Sequence, residues 1–322
     1  MNRAGDETSA SDGRTAFAAR LRLIGEERYH HRHPFNLRMH EGTLTREEIQ
    51  TWVRNRYYYQ TRIPKKDSTI LAKDGTTTDF RREWIGRIHD HDGARAGEGG
   101  LALWLDLAVA TGLDREEVES LRFVLPGVRE ACDAYVAFVS SHDLLECVAA
   151  SLTEMFAGDI MKVRIAAFEQ HYPWVRREGL RYFQTRTEQA PRDAAFGLSW
   201  VLDHARTPED RDRCARALER KCEILWSLLD AVEAAHRRLA PVAHAQVRED
   251  PLEDRTLVVM PERAVALNAS ARELLELCDG QRTAETLALT IARRHLDAPD
   301  AYADAHAFLM HMQRAGVLSS GG

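Results

Sequence analysis

The sequence predicts a mainly α protein, a large helical bundle followed by a small winged-helix-like α+β domain. Three observations carry this. From Thr15 to about Leu239 apolar residues recur at spacings of three and four, with no alternating strand pattern of useful length. Between Pro241 and Asp254 the pattern lapses into a polar, proline-bearing stretch with little to bury. Beyond it two β-prone runs, Thr256 to Met260 and Ala264 to Leu267, are joined by Pro261-Glu-Arg263 and followed by three helix-like segments. At 322 residues the chain exceeds the roughly 250 to 300 at which one core stops growing, so two domains are expected. The expected division is a bundle over 15–240, a linker over 241–254 and a second domain over 255–322.

Residues 1–14 are polar and lack the basic start and apolar stretch of a secretory signal; they are expected to be a disordered tail on a cytoplasmic protein. In the bundle, seven or eight helices are expected. Thr45 with Glu48 forms a capping-box signature, Pro64 and Pro126 punctuate, and Asp114 opens the run Arg115 to Leu121. In the second domain Ser270 with Glu273 caps the first helix and Gly280 ends it. Thr283 opens the second helix, Asp300 lies near the start of the third, and Gly316 stops that one.

Composition excludes several classes. No apolar run approaches the roughly 18 residues that span a bilayer. A net charge of -6 argues against general nucleic-acid binding, which leans on an excess of Lys and Arg. The five cysteines are scattered without C-x-x-C spacing, as expected of buried free thiols in a reducing compartment.

Cations and a histidine fall on inward faces. In the helix after Thr45, the stripe of Ile49, Trp52 and Val53 continues to Arg56 and Gln60. The stripe of Phe80, Trp84 and Ile88 also carries Arg87 and His91; Lys221 lies between Leu218 and Leu225, and Tyr182 and Arg186 form an i, i+4 pair. An unpartnered buried charge costs several kcal/mol, so such cations need protein carboxylates or an anionic ligand unless their heads reach water past apolar stems. A pocket for a polycarboxylate would satisfy them. Di-iron bundles use paired Glu-x-x-His motifs, but Glu233-Ala-Ala-His236 matches once, where a two-metal site wants matched motifs on facing helices.

Several strings resemble the pyrroloquinoline-quinone synthase family (PqqC) in order and without large gaps. They include Tyr29-His30-His31-Arg32-His33-Pro34-Phe35, Ile49-Gln50-x-Trp52-Val53-x-Asn55-Arg56-x-Tyr58-Tyr59-Gln60, Asp90-His91-Asp92-Gly93, Val124-Leu-Pro-Gly-Val128 and His171-Tyr-Pro-Trp174. The resemblance spans about Phe17 to Val247. It implies a heme-oxygenase-like (TenA/PqqC-like) bundle, a homodimer, and an oxidase without metal or organic cofactor. Its implied substrate is a bicyclic polycarboxylated amino acid made from cross-linked Glu and Tyr; molecular oxygen is the co-substrate and pyrroloquinoline quinone (PQQ) the product. Carried over by position, His30, Arg56, Gln60, Lys66, Arg87, Arg164 and Lys221 hold carboxylates and carbonyls. His91 is the general base, Tyr135 and Tyr182 assist proton transfer, Arg186 helps bind oxygen or peroxide, and Lys221 is counted with this catalytic group.

Met161 and Phe196 depart from the resemblance, each standing where the family usually has histidine. Methionine neither donates nor relays a proton. The alternatives that follow are a cofactorless oxidase of the same fold acting on another peptide-derived or quinol-like substrate, and a non-catalytic carrier of the intermediate. Arg255 to Leu318 resembles PqqD through Met260-Pro-Glu, Ala266-Leu-Asn268, Leu274-Leu-x-Leu277-Cys-Asp-Gly280 and Gly316-Val-Leu318. This implies recognition of a ribosomally made precursor peptide, and contact with other PQQ-biosynthesis proteins, through residues 255–318. An exposed strand edge at Thr256 to Met260 is expected to pair with the peptide.

Overall fold

The computed structural model describes residues 3–251 and 255–320, without the side chains of 3–12 and 255. The bundle comprises α1 (Arg3–Arg28), α2 (Pro34–Glu41), α3 (Arg46–Leu71), α4 (Thr78–Asp92), α5 (Gly99–Ala110), α6 (Arg115–Glu119), α7 (Pro126–Ser141), α8 (Leu144–Ala150), α9 (Glu154–His171), α10 (Arg181–His204) and α11 (Pro208–Ala235). Among the described residues the bundle has eleven helices rather than the seven or eight expected; eight have twelve residues or more, and the short α2, α6 and α8 are the additional ones. All five cysteines are buried free thiols. No helix among the described residues is long and apolar enough to cross a membrane.

Two local expectations need correction. Residues 3–14, expected to be a disordered tail, belong to α1; Met1 and Asn2 lie outside the described residues. Phe17, Leu21 and Ile24 are buried in the core and anchor the helix, and once a turn is fixed, extending it backwards through proline-free residues needs no new nucleus. Pro64 does not punctuate but sits inside α3, where buried Ile63, Lys66, Asp67 and Ile70 hold the chain helical across it. Pro126 does open a helix, at the start of α7, and Thr45 and Glu48 form the complete capping box at the start of α3.

After α11 the chain forms β1 (Leu239–Pro241), β2 (Gln246–Asp250), β3 (Arg255–Met260) and β4 (Arg263–Leu267). Then follow α12 (Ala269–Glu276), α13 (Ala284–Arg294), α14 (Ala301–Arg314) and β5 (Leu318–Ser320). β1 pairs antiparallel with β5, while β2, β3 and β4 make an antiparallel sheet with β3 in the centre. The expected linker 241–254 therefore contains a strand. β2 buries no face, so alternation could not reveal it; its ladder to β3 and a hydrogen bond from Thr256 to Glu249 at 3.1 Å hold it in place. Two corrections follow: the edge expected at Thr256 to Met260 is occupied on both sides, and the cap of α12 is Asn268 rather than Ser270. Gly280 lies four residues beyond the end of α12, whereas Thr283 caps α13 as expected.

The second domain is docked on the first. Glu285 of α13 is 3% exposed and accepts from Arg54 of α3 at 2.6 Å and from the hydroxyl of Tyr302 on α14. Arg122 donates to the carbonyls of His295 and Ala298 at 3.1 and 3.0 Å, and Phe123 meets the Tyr302 ring edge-on.

Candidate active site

The residues singled out in the sequence converge from seven segments. Arg56, Gln60 and Lys66 come from α3, Arg87 and His91 from α4, Tyr135 from α7, Arg164 from α9, Tyr182 and Arg186 from α10 and Lys221 from α11. His30 comes from the turn before α2. All are buried except Arg56, which is half-buried. Each sits one or two helical turns from a core aromatic or aliphatic residue, so the packing that buries the stripe carries the polar group inward.

They divide into two electrostatic groups. Lys66, Arg87 and Arg186 are matched by protein carboxylates. Lys66 meets Asp67 at 2.6 Å, and Arg87 lies 3.5 Å from Asp67, 3.4 Å from Glu154 and 3.7 Å from Asp193. Arg186 pairs with Glu154 at 2.5 Å and with Asp193 at 3.6 Å. Burial opposes the Glu154 charge, but Arg186 and Arg87 outweigh it and hold the carboxyl at about 2.

Arg56, Arg164 and Lys221 form no ion pair among the described residues. Arg56 lies over the Tyr59 ring at 3.9 Å. Arg164 donates to Asn36 at 3.1 Å and lies 4.9 Å from the Trp52 ring; burial, then Arg56, brings it down to about 10. Lys221 donates to the Tyr59 hydroxyl at 3.0 Å and lies 3.5 Å from the Tyr135 ring centre. Burial, followed by Arg56 and Lys66, pushes its ammonium well below the usual lysine value. Asn36 also fixes His30. Its carbonyl oxygen accepts from Arg164, so its amide donates to His30 Nδ1 at 2.7 Å and leaves the proton on Nε2, a buried atom with no hydrogen-bond partner among the described residues. Arginine, lysine and an unused imidazole N–H thus aim at one region whose protein carboxylates are already engaged.

His91 suits a base. Its Nδ1 faces the Arg87 carbonyl at 3.0 Å, which can only accept, so Nδ1 carries the proton and Nε2 keeps its lone pair. Burial, then Arg186, lowers the imidazole to about 4, so it is neutral near pH 7. Gly99 clamps this end of α4: at its φ of 80° an added Cβ would stand 2.4 Å from Gly93 N and 2.6 Å from His91 O. Beside His91, Tyr182 donates to Gln60 Oε1 at 3.0 Å, which leaves the Gln60 amide N–H groups for a ligand.

Arg56, Gln60, His91, Tyr182 and Arg186 line a small cavity of about 40 Å3, closed off by Tyr59, Glu154 and Met161. It holds roughly three waters. Lys221 stands behind Tyr59 and Arg164 behind Met161, whose sulfur is 3.9 Å from the guanidinium. Lys66, Arg87, Tyr135 and His30 form the next layer; Tyr135 shares Ser151 with Lys66, at 3.3 and 3.4 Å. Phe196 lies outside the cavity against Phe80 and Trp84, so its departure from histidine does not touch the reacting centre. Glu233 is likewise outside, bonded to Arg38 at 3.2 Å.

Sequence reasoning missed Asp67, Glu154 and Asp193 as site residues. Two were discoverable by the logic applied to the cations: Ile63, Asp67 and Ile70 form one buried stripe of α3, and Ala190, Asp193 and Gly197 one of α10. Glu154 opens α9 and gave no such signal.

The fold and this cationic, helix-lined site define a heme-oxygenase-like bundle with a buried polar pocket. A TenA homolog from Pseudomonas syringae superimposes with a TM-score of 0.56 at 14% identity, covering 68% of this chain and 93% of the homolog. A heme oxygenase-like domain of unknown function from Shewanella denitrificans gives 0.53 at 14% identity, covering 72% and 92%. The TENA/THI-4/PQQC family model matches residues 18–231, and that of coenzyme PQQ synthesis protein D (PqqD) matches 255–318. Pyrroloquinoline-quinone synthase of Gluconobacter oxydans is 49% identical over 218 residues, 68% of this chain and 91% of that protein. The synthase of Rhizobium meliloti is 50% identical over 229 residues, 71% and 89%. The chain belongs to the TENA/THI-4/PQQC family and carries a PqqD region behind the bundle, the arrangement of a PqqC/D fusion.

Proposed function

We propose that the chain is a pyrroloquinoline-quinone synthase, which closes the last ring of a bicyclic polycarboxylated precursor and oxidises it with molecular oxygen to PQQ. The observation that carries this reading is Arg56 on the wall of the cavity that His91 lines, with Lys221 behind Tyr59 and Arg164 behind Met161, none of the three in an ion pair among the described residues. A polycarboxylate supplies the missing anions. The names of the relatives support the same reaction.

In this account His91 Nε2 removes protons, and Tyr182 and Tyr135 pass them on. A deprotonated, electron-rich quinol gives electrons to oxygen directly, without metal or organic cofactor, while Arg186 and the other cations stabilise superoxide and peroxide anions. The bundle closes around the ligand, as a homodimer in the cytoplasm. A second reading is favoured by Met161 on the cavity wall: an oxidase of another quinol-like substrate, or a carrier of the intermediate.

The second domain binds the precursor peptide, and through it meets other PQQ-biosynthesis proteins. With β3 enclosed, the free outer edge of β4 is the place for an added strand. A groove of about 260 Å3 begins at Asn268, directly after β4, and is lined by Leu274, Ile291, Ala305 and Phe308, which suits apolar side chains of a peptide lying there. Calorimetry of the full chain with the precursor peptide tests this; no binding heat contradicts it.

The oxidase reading is tested by single-turnover absorbance and oxygen uptake on metal-stripped protein mixed with the bicyclic precursor, first without and then with oxygen. Quinone formation on admitting oxygen supports the synthase. Tight binding without oxidation favours the carrier.

A further inference from the structure

Met161 places a thioether on the cavity wall, and we propose that it is a site of oxidative self-modification: hydrogen peroxide formed in the cavity oxidises it to the sulfoxide. For its peroxide the proposal rests on the oxidase reading; the placement of the sulfur does not. Met161 is 7% exposed, and what it touches includes the lining of a cavity shared with His91, Tyr182 and Arg186. Met39 and Met312 are sealed at 0% and 1%, while Met155, Met260 and Met310 are partly exposed and line no part of that cavity. Bulk peroxide therefore meets these three first. Peroxide released in the cavity meets Met161 first, at the high effective concentration of a neighbouring group.

The step balances without a further reagent. A sulfur lone pair attacks one peroxide oxygen, the O–O bond breaks, and the leaving hydroxide takes the proton from the oxygen now bound to sulfur and departs as water. Sulfur loses two electrons and peroxide is reduced to the level of water. Arg186, on the same wall, donates to the departing oxygen.

The product alters the binding site. The Met161 sulfur already lies 3.9 Å from Arg164 Nη1, on a guanidinium with no ion pair among the described residues. A sulfoxide oxygen is a far stronger acceptor than a thioether and engages that donor, removing Arg164 from carboxylate binding. Turnover thereby weakens the enzyme's hold on its own ligand, reversibly, because methionine sulfoxide reductases restore the thioether.

The test runs turnover of the full-length protein with the bicyclic precursor under isotopically labelled oxygen gas, with catalase in solution, followed by oxygen uptake and peptide mapping. The expected result is labelled sulfoxide on Met161 ahead of Met155, Met260 and Met310, with that order reversed when reagent peroxide is added to resting protein. PQQ affinity of the turned-over protein falls about tenfold, the value of one charge-assisted hydrogen bond, and returns with sulfoxide reductase; Met161→Leu shows no such loss. Oxygen uptake with Met161 unmodified overturns the proposal and leaves the oxidase reading intact. Labelled Met161 with unchanged PQQ affinity overturns the Arg164 mechanism. Absence of oxygen uptake removes the oxidase reading and the proposal with it.

Discussion

Arg54 and Arg56 stand two residues apart on α3 and meet opposite fates. Arg54 turns to the second domain, where Glu285 receives it at 2.6 Å and Glu117 lies 3.5 Å away. Arg56 turns to the cavity and lies over the face of Tyr59, with no ion pair among the described residues. One cation is completed by the fold and joins two domains; the other, with Arg164 and Lys221, is left for something that comes from outside. Burial alone does not distinguish a structural charge from a functional one. For these two the partner does, and removing one charge or the other should have opposite effects on stability.

The largest effect is expected at the completed pair. Glu285→Ala leaves buried Arg54 with Glu117 alone, at 3.5 Å, and should lower the unfolding free energy by about 3 kcal/mol, measured by denaturant unfolding of the full chain. The double variant Arg54→Met/Glu285→Leu should recover most of the loss. If the single variant is as stable as the parent, the domain contact does not hold the way its geometry indicates.

At the uncompleted cluster the sign reverses. Lys221→Met should raise the stability of the ligand-free protein by about 1 to 3 kcal/mol, because an unpaired buried ammonium gives way to packed apolar atoms. PQQ affinity should meanwhile fall roughly tenfold to a hundredfold. A variant that loses stability and keeps affinity would place Lys221 with Arg54 rather than with Arg56.

Proton linkage sharpens the same contrast. Because Lys221 is depressed in the folded, ligand-free state, that state binds fewer protons than the unfolded chain below the ordinary lysine range, so this group contributes stability that increases as pH rises toward that range. A bound carboxylate raises the ammonium again. Calorimetry of PQQ binding in buffers of different ionisation heat should therefore show proton uptake, and affinity should fall with rising pH. Proton release on binding would contradict this.

The smallest expected effect is a displaced pH limb. His91, held at about 4, should remain a competent base well below the ordinary imidazole value of 6.5, and proton abstraction should fail only as pH drops toward 4. The depressed value also means that the contribution of this group to stability is present above 6.5 and is lost as pH falls through that window. An acid limb near 6.5, or one that persists unchanged in His91→Asn, would take His91 out of the role of base.

Much of this was legible in the sequence because helical periodicity is a strong signal. The stripe from Ile49 to Gln60 gave the buried face of α3 and the inward Arg56 together. What was not legible had physical causes. Residues 3–14 are helical through cooperation with an anchored half rather than by local pattern, and β2 is a strand with no buried face. The separation of paired from unpaired cations depends on contacts across many residues of sequence, such as Arg87 with Asp193 and Arg54 with Glu285, which no local spacing encodes. Enclosure of β3 followed from the unseen β2, and with it moved the expected peptide edge.

Under the proposed function Arg56, Arg164 and Lys221 await the carboxylates of a ligand. Titration of the metal-stripped full-length protein with PQQ, and in parallel with its fully esterified form, tests this most directly. The acid should bind and raise the unfolding temperature, and the ester, equal in rings but without negative charge, should do neither. Equal binding of the two, or binding of neither, would contradict it.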